Sequence, residues 1–280
     1  MKAQVFAEAD LRLSDPERRP RSRGEGRHPR VESQDMYRRW TSRYHFEWRQ
    51  RLSFERRRLD LMSWLEETVD PVGFAVGDDA IGVALGSPDV RLSIFGSGMT
   101  LTRGWSEAPP TAFGDALQGV FEILAPGPVS GQNATIRGSF SLDEDYTEAC
   151  ARFARETSFS TTDSGWSPTD SSVLVDLEQG DTEAQVEWGI VSGTELLERL
   201  TSDLGRLDRR MSARVDAVGA RPDDLPEVAL FAECGLVEQS PPKLDSPHGV
   251  LAQLLHWDEM AATLTTALHA AFATRDRKTA

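Results

Sequence analysis

The sequence predicts an α+β protein: two related ββαβα halves with antiparallel sheets covered by helices, preceded by a long N-terminal helix. Three observations predict it. Short apolar runs alternate with turn compositions at hairpin spacing. Helical periodicity returns after each group of runs. The order strands, helix, strand, helix then occurs twice along the chain.

Taken in order, Met1–Leu13 alternates weakly, as a short strand would. Ser14–Arg30 (SDPERRPRSRGEGRHPR) is a polar stretch rich in Pro, Gly and Arg with no apolar residue to bury. Residues 1–32 are therefore expected to form a basic, partly flexible arm. From 33 to 69 the spacing predicts an aromatic and basic helix, either one long helix or two broken near Ser53. At about 100° per residue, Tyr37, Trp40, Tyr44, Trp48, Leu52, Leu61 and Leu65 share one half of the cylinder. Arg38, Arg39, His45, Arg49, Arg56 and Arg57 occupy the other. Asp70-Pro71 ends it, because proline cannot continue a helix and restrains the residue before it.

A first α+β half is expected over 70–158. Runs at Val72–Val76, Ala80–Leu85, Val90–Phe95 and Met99–Trp105 are punctuated by GDD, GSPD and GSG. A helix over Pro110–Ala125, an alternating strand over Gln132–Leu142 and a helix over Glu144–Thr157 follow, the last with Asp143 as N-cap. The Ser/Thr/Gly/Pro run at 159–171 reads as a linker. The second half, 172–275, holds strands Ser172–Leu177 and Glu183–Val191 joined by a QGDT turn. A helix carries Leu197, Leu200, Leu204 and Leu207, a strand covers Val228–Val237, and a last helix covers His248–Ala273.

Charge divides the chain more sharply than its average suggests. Over 280 residues, 31 Lys+Arg stand against 45 Asp+Glu, a net of −14. Residues 1–58 carry 16 basic and 9 acidic residues, net +7; residues 59–280 carry 15 and 36, net −21. A body this acidic repels a phosphate backbone, so nucleic acid is not expected as a partner. No apolar run approaches the ~20 residues of a membrane helix. A cytoplasmic setting without membrane contact is expected, and the Ala/Arg/Asp-rich composition suggests a bacterial source.

Motifs for chemistry are absent from the sequence. The five histidines, His28, His45, His248, His256 and His269, include no HExxH and no pair at i, i+4 on one helix. Ser97 in FGSGM and Ser130 in PVSGQ fit hairpin turns and lack the G-x-S-x-G elbow of a nucleophile. Gly96-Ser97-Gly98 lacks the third glycine of a dinucleotide fingerprint. Cys150 and Cys234 fall on apolar faces and read as small buried hydrophobes. No metal and no cofactor are expected, and no catalytic residue can be named.

Val90–Trp105, the Pro-led helix and the strand Asn133–Leu142 resemble the first half of a sporadically distributed, uncharacterised bacterial protein family of similar length. The run LLHWDEMAATLTTALHAAF, with Leu268-His269 ahead of Phe272, is similar to how its members end. The resemblance covers residues 72–275 at most and implies a fold, not a reaction.

What remains is the aromatic and basic segment. Tyr37, Arg38, Trp40, Arg43, Tyr44 and Trp48 are the residue types that dominate binding hot spots. They are the candidate partner-binding residues, for another protein or a second copy of this chain. The sequence thus reads as a non-enzymatic interaction or assembly protein recognising a macromolecular partner, with a bacterial multi-protein system as one setting that fits. The alternative is an enzyme or small-molecule-binding protein with a site between the two halves.

Overall fold

Alternation, not helical spacing, governs the first described residues. In the computed structural model, residues 37–49, 54–77, 79–86, 89–104, 108–157, 171–200, 225–240 and 244–275 are described. All belong to one compact unit, Gln34–Ala280. The segment Arg38–Trp48 is a strand, β1, and not part of a long helix. Ser42, Tyr44, Phe46 and Trp48 bury one side, while Arg43 and Glu47 are exposed on the other. Bulky aromatics at every second position suit a pleated strand inside a sheet. The expected helix over 33–69 survives only as α1, Phe54–Trp64, continued by a wider turn over Leu65–Val69.

The chain continues with β2 (Gly73–Val76), β3 (Ala80–Ala84), β4 (Val90–Phe95) and β5 (Gly98–Arg103). Next come α2 (Gly114–Gly119), flanked by short turns of helix, then β6 (Val129–Ser141) and α3 (Tyr146–Glu156). After them lie β7 (Ser171–Gln179), β8 (Thr182–Ser192), helix α4 from residue 193 to the described limit at 200, β9 (Val228–Glu238) and α5 (Pro247–Arg275). The N-cap of α3 is Asp145, whose carboxylate accepts the Glu148 N–H at 2.9 Å, rather than the expected Asp143. The expected arm over 1–32 and nearly all of the expected linker over 159–171 lie outside the described residues.

The described strands form one sheet in the order β2-β3-β4-β5-β1-β6-β9-β8-β7, with every neighbouring pair antiparallel. This overturns the expectation of two ββαβα halves. β1, the first described strand, sits between β5 and β6 inside the first expected half, and β6 pairs with β9 of the second, so both expected halves share one sheet.

One face of the sheet carries α1, α2, α3 and α5. The length of α5 explains its reach: 29 residues span about 43 Å. Nine strands are about 38 Å across. Val250, Leu254, Trp257, Ala261, Thr265, the partly buried Leu268 and Phe272 form its inner stripe at three- and four-residue intervals. Trp257 stacks on Tyr44 and Phe46 of β1, with ring centroids 6.2 and 5.7 Å apart. Further along, His269 stacks on Phe140 of β6 at 4.0 Å and Phe272 meets Trp188 of β8 edge-on at 6.5 Å. The other face receives α4, whose Leu196 and Leu200 pack with Trp40, Val191, Ala229 and Phe231. Trp40 reaches that face through a bulge: Trp40 and Thr41 together oppose Arg137, which switches the alternation. Where β1 crosses β6, Gly138 leaves room for the Tyr37 ring, and a Cβ there would collide with it.

Among the described residues the core holds one unpaired side-chain amide. Gln132 of β6 is 3% exposed on the helix-covered face, opposite Phe46. Neither atom of its amide has a hydrogen-bond partner among the described residues. A buried amide left unsatisfied costs more than an apolar group of similar volume. Gln132→Leu is expected to raise the unfolding free energy by about 1–2 kcal/mol in denaturant titrations; a loss of stability would show that the amide is satisfied in solution.

Candidate functional site

Both sides of β1 carry polar clusters, and they differ in kind. On the helix-covered side, Ser42 and Tyr44 of β1 face Arg103 of β5, the cross-strand partner of Ser42. Asp258, one residue past Trp257 on α5, closes the cluster. Its carboxylate accepts from the Tyr44 hydroxyl and from Arg103, and lies 3.5 Å from Ser42 Oγ. Arg103 also donates to Tyr44 Oη at 2.6 Å and to the Ala108 carbonyl at 3.0 Å. Arg39 donates to Ser42 Oγ at 3.2 Å. The Arg103 side chain is 3% exposed and that of Asp258 20%, so water screens this ion pair weakly.

Titration at the cluster runs against acid–base chemistry. Burial first, and then the Asp258 charge, push the Tyr44 phenol above its ordinary range. Burial also raises Tyr37, and burial together with the neighbouring Arg103 lowers Arg39. A phenol moved further from neutrality is less often ionised, so it is less available as a base or nucleophile near neutral pH. The cluster is an anchor. It fixes where along β1 and β5 the helix α5 can sit.

On the opposite side, Arg43, His45 and Glu47 alternate outward. His45 Nδ1 lies 3.0 Å from Thr100 Oγ1 and Nε2 lies 3.2 Å from Glu47 Oε1. Further across, Glu187 and Glu233 are direct cross-strand neighbours. Two arginines relieve that pairing of like charges. Arg137 binds Glu233 at 2.6 Å and Arg199 of α4 binds Glu187 at 2.8 Å. Arg137 also donates to the Arg199 carbonyl at 3.1 Å, which ties α4 to the sheet.

The sequence-predicted partner residues therefore separate. Trp40, Tyr44 and Trp48 are core side chains: Trp40 donates to Ser139 Oγ at 2.8 Å and Trp48 to the Gly96 carbonyl at 3.2 Å. Tyr37 is partly buried against Phe140, with ring centroids 5.7 Å apart. Arg38 and Arg43 are exposed, and the Arg38 guanidinium covers the Trp40 ring at 4.1 Å. The fold does not bring this set together as one surface. Cys150 and Cys234 are both buried, and burial pushes the Cys234 thiol up to about 11. Among the described residues no group of three or more His, Cys, Asp or Glu is arranged to hold a metal ion, and no helix is long and apolar enough to cross a membrane.

Sequence reasoning missed the sheet edges. Exposed large apolar side chains gather on the two outermost strands: Phe74 and Val76 on β2, Leu174 and Leu177 on β7. The edges differ in length. β2 has four residues and is bounded by Pro71 just upstream, whereas β7 has nine and pairs with β8 without a break in register. Short strands are one way native sheets blunt an edge, and lysines another; β7 is long and has no lysine or arginine. No protein-family model matches this chain, and no curated protein matches it.

The anchor makes a specific claim about energy. Arg103→Met alone and Asp258→Leu alone are each expected to cost about 3–5 kcal/mol, because each strands a buried charge. The double variant is expected to lose clearly less than the two single losses added together. Chemical unfolding of the four proteins checks it, and strict additivity would show that the two side chains do not act as a pair.

Proposed function

We propose that this protein is a non-enzymatic interaction protein that accepts an extended protein segment along the open edge strand β7. The observation that carries the reading is the edge itself: nine residues in unbroken register, no strand on its outer side among the described residues, and Leu174 59% and Leu177 38% exposed. An open edge offers unpaired backbone N–H and C=O groups, and exposed side chains at alternating positions supply specificity. The nearby charges are acidic, with Asp176 and Glu178 on β7 and Glu183 on β8. They repel nucleic acid and disfavour a carboxylate placed directly opposite them, so a seated strand must set neutral or basic side chains against Asp176 and Glu178. The reading keeps the macromolecular partner expected from the sequence and moves its site from the β1 aromatics to the sheet edge. It also keeps the bacterial, cytoplasmic setting.

A photo-crosslinking amino acid tests the location. Placed at position 174 in the full chain and activated in the producing cell, it is expected to yield discrete protein adducts. The same group at 74 on β2, or at 255 on the exposed side of α5, is expected to yield few. Adducts from 74 or 255 with none from 174 would overturn the assignment.

A further inference from the structure

We infer that the strand seated on β7 is the β7 of a second copy, joined about a two-fold axis through Val175. This rests on reading β7 as the interaction edge. The argument begins with the hairpin that makes the edge. Gln179 pairs with Thr182 across a two-residue turn, Gly180-Asp181, with Gly180 at φ +63°. A turn this tight makes its flanking residues a hydrogen-bonded pair. By alternation, the N–H and C=O of odd-numbered β7 residues point to β8, and those of Ser172, Leu174, Asp176 and Glu178 point to the open edge.

Self-pairing about a two-fold axis is antiparallel, and its hydrogen-bonded pairs must join two outward-pointing residues. Only a few registers satisfy this. Centring on Asp176 sets Asp176 against itself, which like charges disfavour. Centring on Leu174 leaves Glu178 beyond the overlap. Centring on Val175 pairs the whole strand: Leu174 with Asp176, Ser172 with Glu178, Val173 with Leu177 and Val175 with itself. No charge then stands opposite a like charge. Asp176 is held on its own strand pair, accepting from Gln185 Nε2 at 2.9 Å.

The side chains sort correctly in this register. Val173, Val175 and Leu177 lie on the helix-covered face, where Val173 already packs against the core around Phe153 and Trp188. Pairing continues that apolar layer across the axis and covers Leu177. Leu174, the most exposed apolar side chain of the strand, gains a neighbour on the opposite face. The two sheets become one continuous antiparallel sheet, and both long open edges are removed together. Each copy carries a net charge of −14, so added salt is expected to tighten the pairing rather than weaken it.

Analytical ultracentrifugation of the full chain, with variants chosen for the register, tests the inference. Wild type is expected to dimerise, more tightly at higher salt. Leu174→Asp puts an acid opposite Asp176 twice per dimer and is expected to weaken association about tenfold, whereas Leu174→Lys places a cation there and is expected to preserve or tighten it. Val175→Cys brings two thiols together at a non-hydrogen-bonded position, where Cα atoms lie about 4.5 Å apart, a spacing that admits a disulfide. Oxidation is expected to trap a covalent dimer of Val175→Cys and not of Leu177→Cys. Circular dichroism of each variant confirms that it is folded. A folded wild-type chain that stays monomeric to about 100 µM, or a dimer indifferent to the charge at 174 with no crosslink at 175, would overturn the pairing. A monomer that still gives foreign adducts from position 174 would overturn self-pairing and leave the edge reading standing. A monomer without adducts would overturn both.

Discussion

The buried Arg103 is the constraint on which the rest of this fold depends. A guanidinium inside the sheet–helix interface is tolerable only if a carboxylate meets it there, and Asp258 is that carboxylate. This single pairing sets the position of α5, because Trp257 must then lie over Tyr44 and Phe46. Once that point is fixed, the helical repeat carries Thr265 to Cys234 on β9, His269 to Phe140 on β6 and Phe272 to Trp188 on β8. Apolar burial supplies most of the stabilisation, but it slides easily along a helix axis. The ion pair and the Tyr44 hydroxyl select one position.

Much of the local structure was legible in the sequence, and one ambiguity decided the largest error. Trp40, Tyr44 and Trp48 recur every fourth residue, a spacing that keeps one face on a helix and also on a strand. The informative residues were Ser42 and Phe46, two positions on, which fall opposite the aromatics in a helix and beside Tyr44 in a strand. Phe46 is fully buried on the same side as Tyr44. A bulge at Trp40–Thr41 adds a shift that no periodicity displays. Hairpins closed by GSG and QGDT were readable because their turn chemistry is local. The place of β1 between β5 and β6 was not, since pairings such as Ser42 with Arg103 join residues far apart in the chain.

The candidate site shows the same division. The residue types at 37–48 suited an interface, and the fold spent Trp40, Tyr44 and Trp48 on its own core. What the sheet left exposed is decided by topology: a strand becomes an edge only when its neighbours are known. β7 reads in the sequence as an ordinary hairpin strand, and only the strand order reveals that nothing among the described strands pairs with its outer side. The acidic balance of residues 59–280 then acquires a location, since Asp176, Glu178 and Glu183 stand beside that edge.

The central claim is that β1 is the interior of the sheet and β7 its open margin. Residue-resolved amide hydrogen exchange on dilute native protein tests it most directly, since exchange from core strands requires global unfolding and exchange from an open edge does not. The account predicts that amides of Tyr44 and Phe46 are among the slowest in the chain, while those of Leu174 and Asp176 exchange quickly when dilute. Fast exchange throughout 38–48, with Leu174 and Asp176 protected at every concentration, would contradict it.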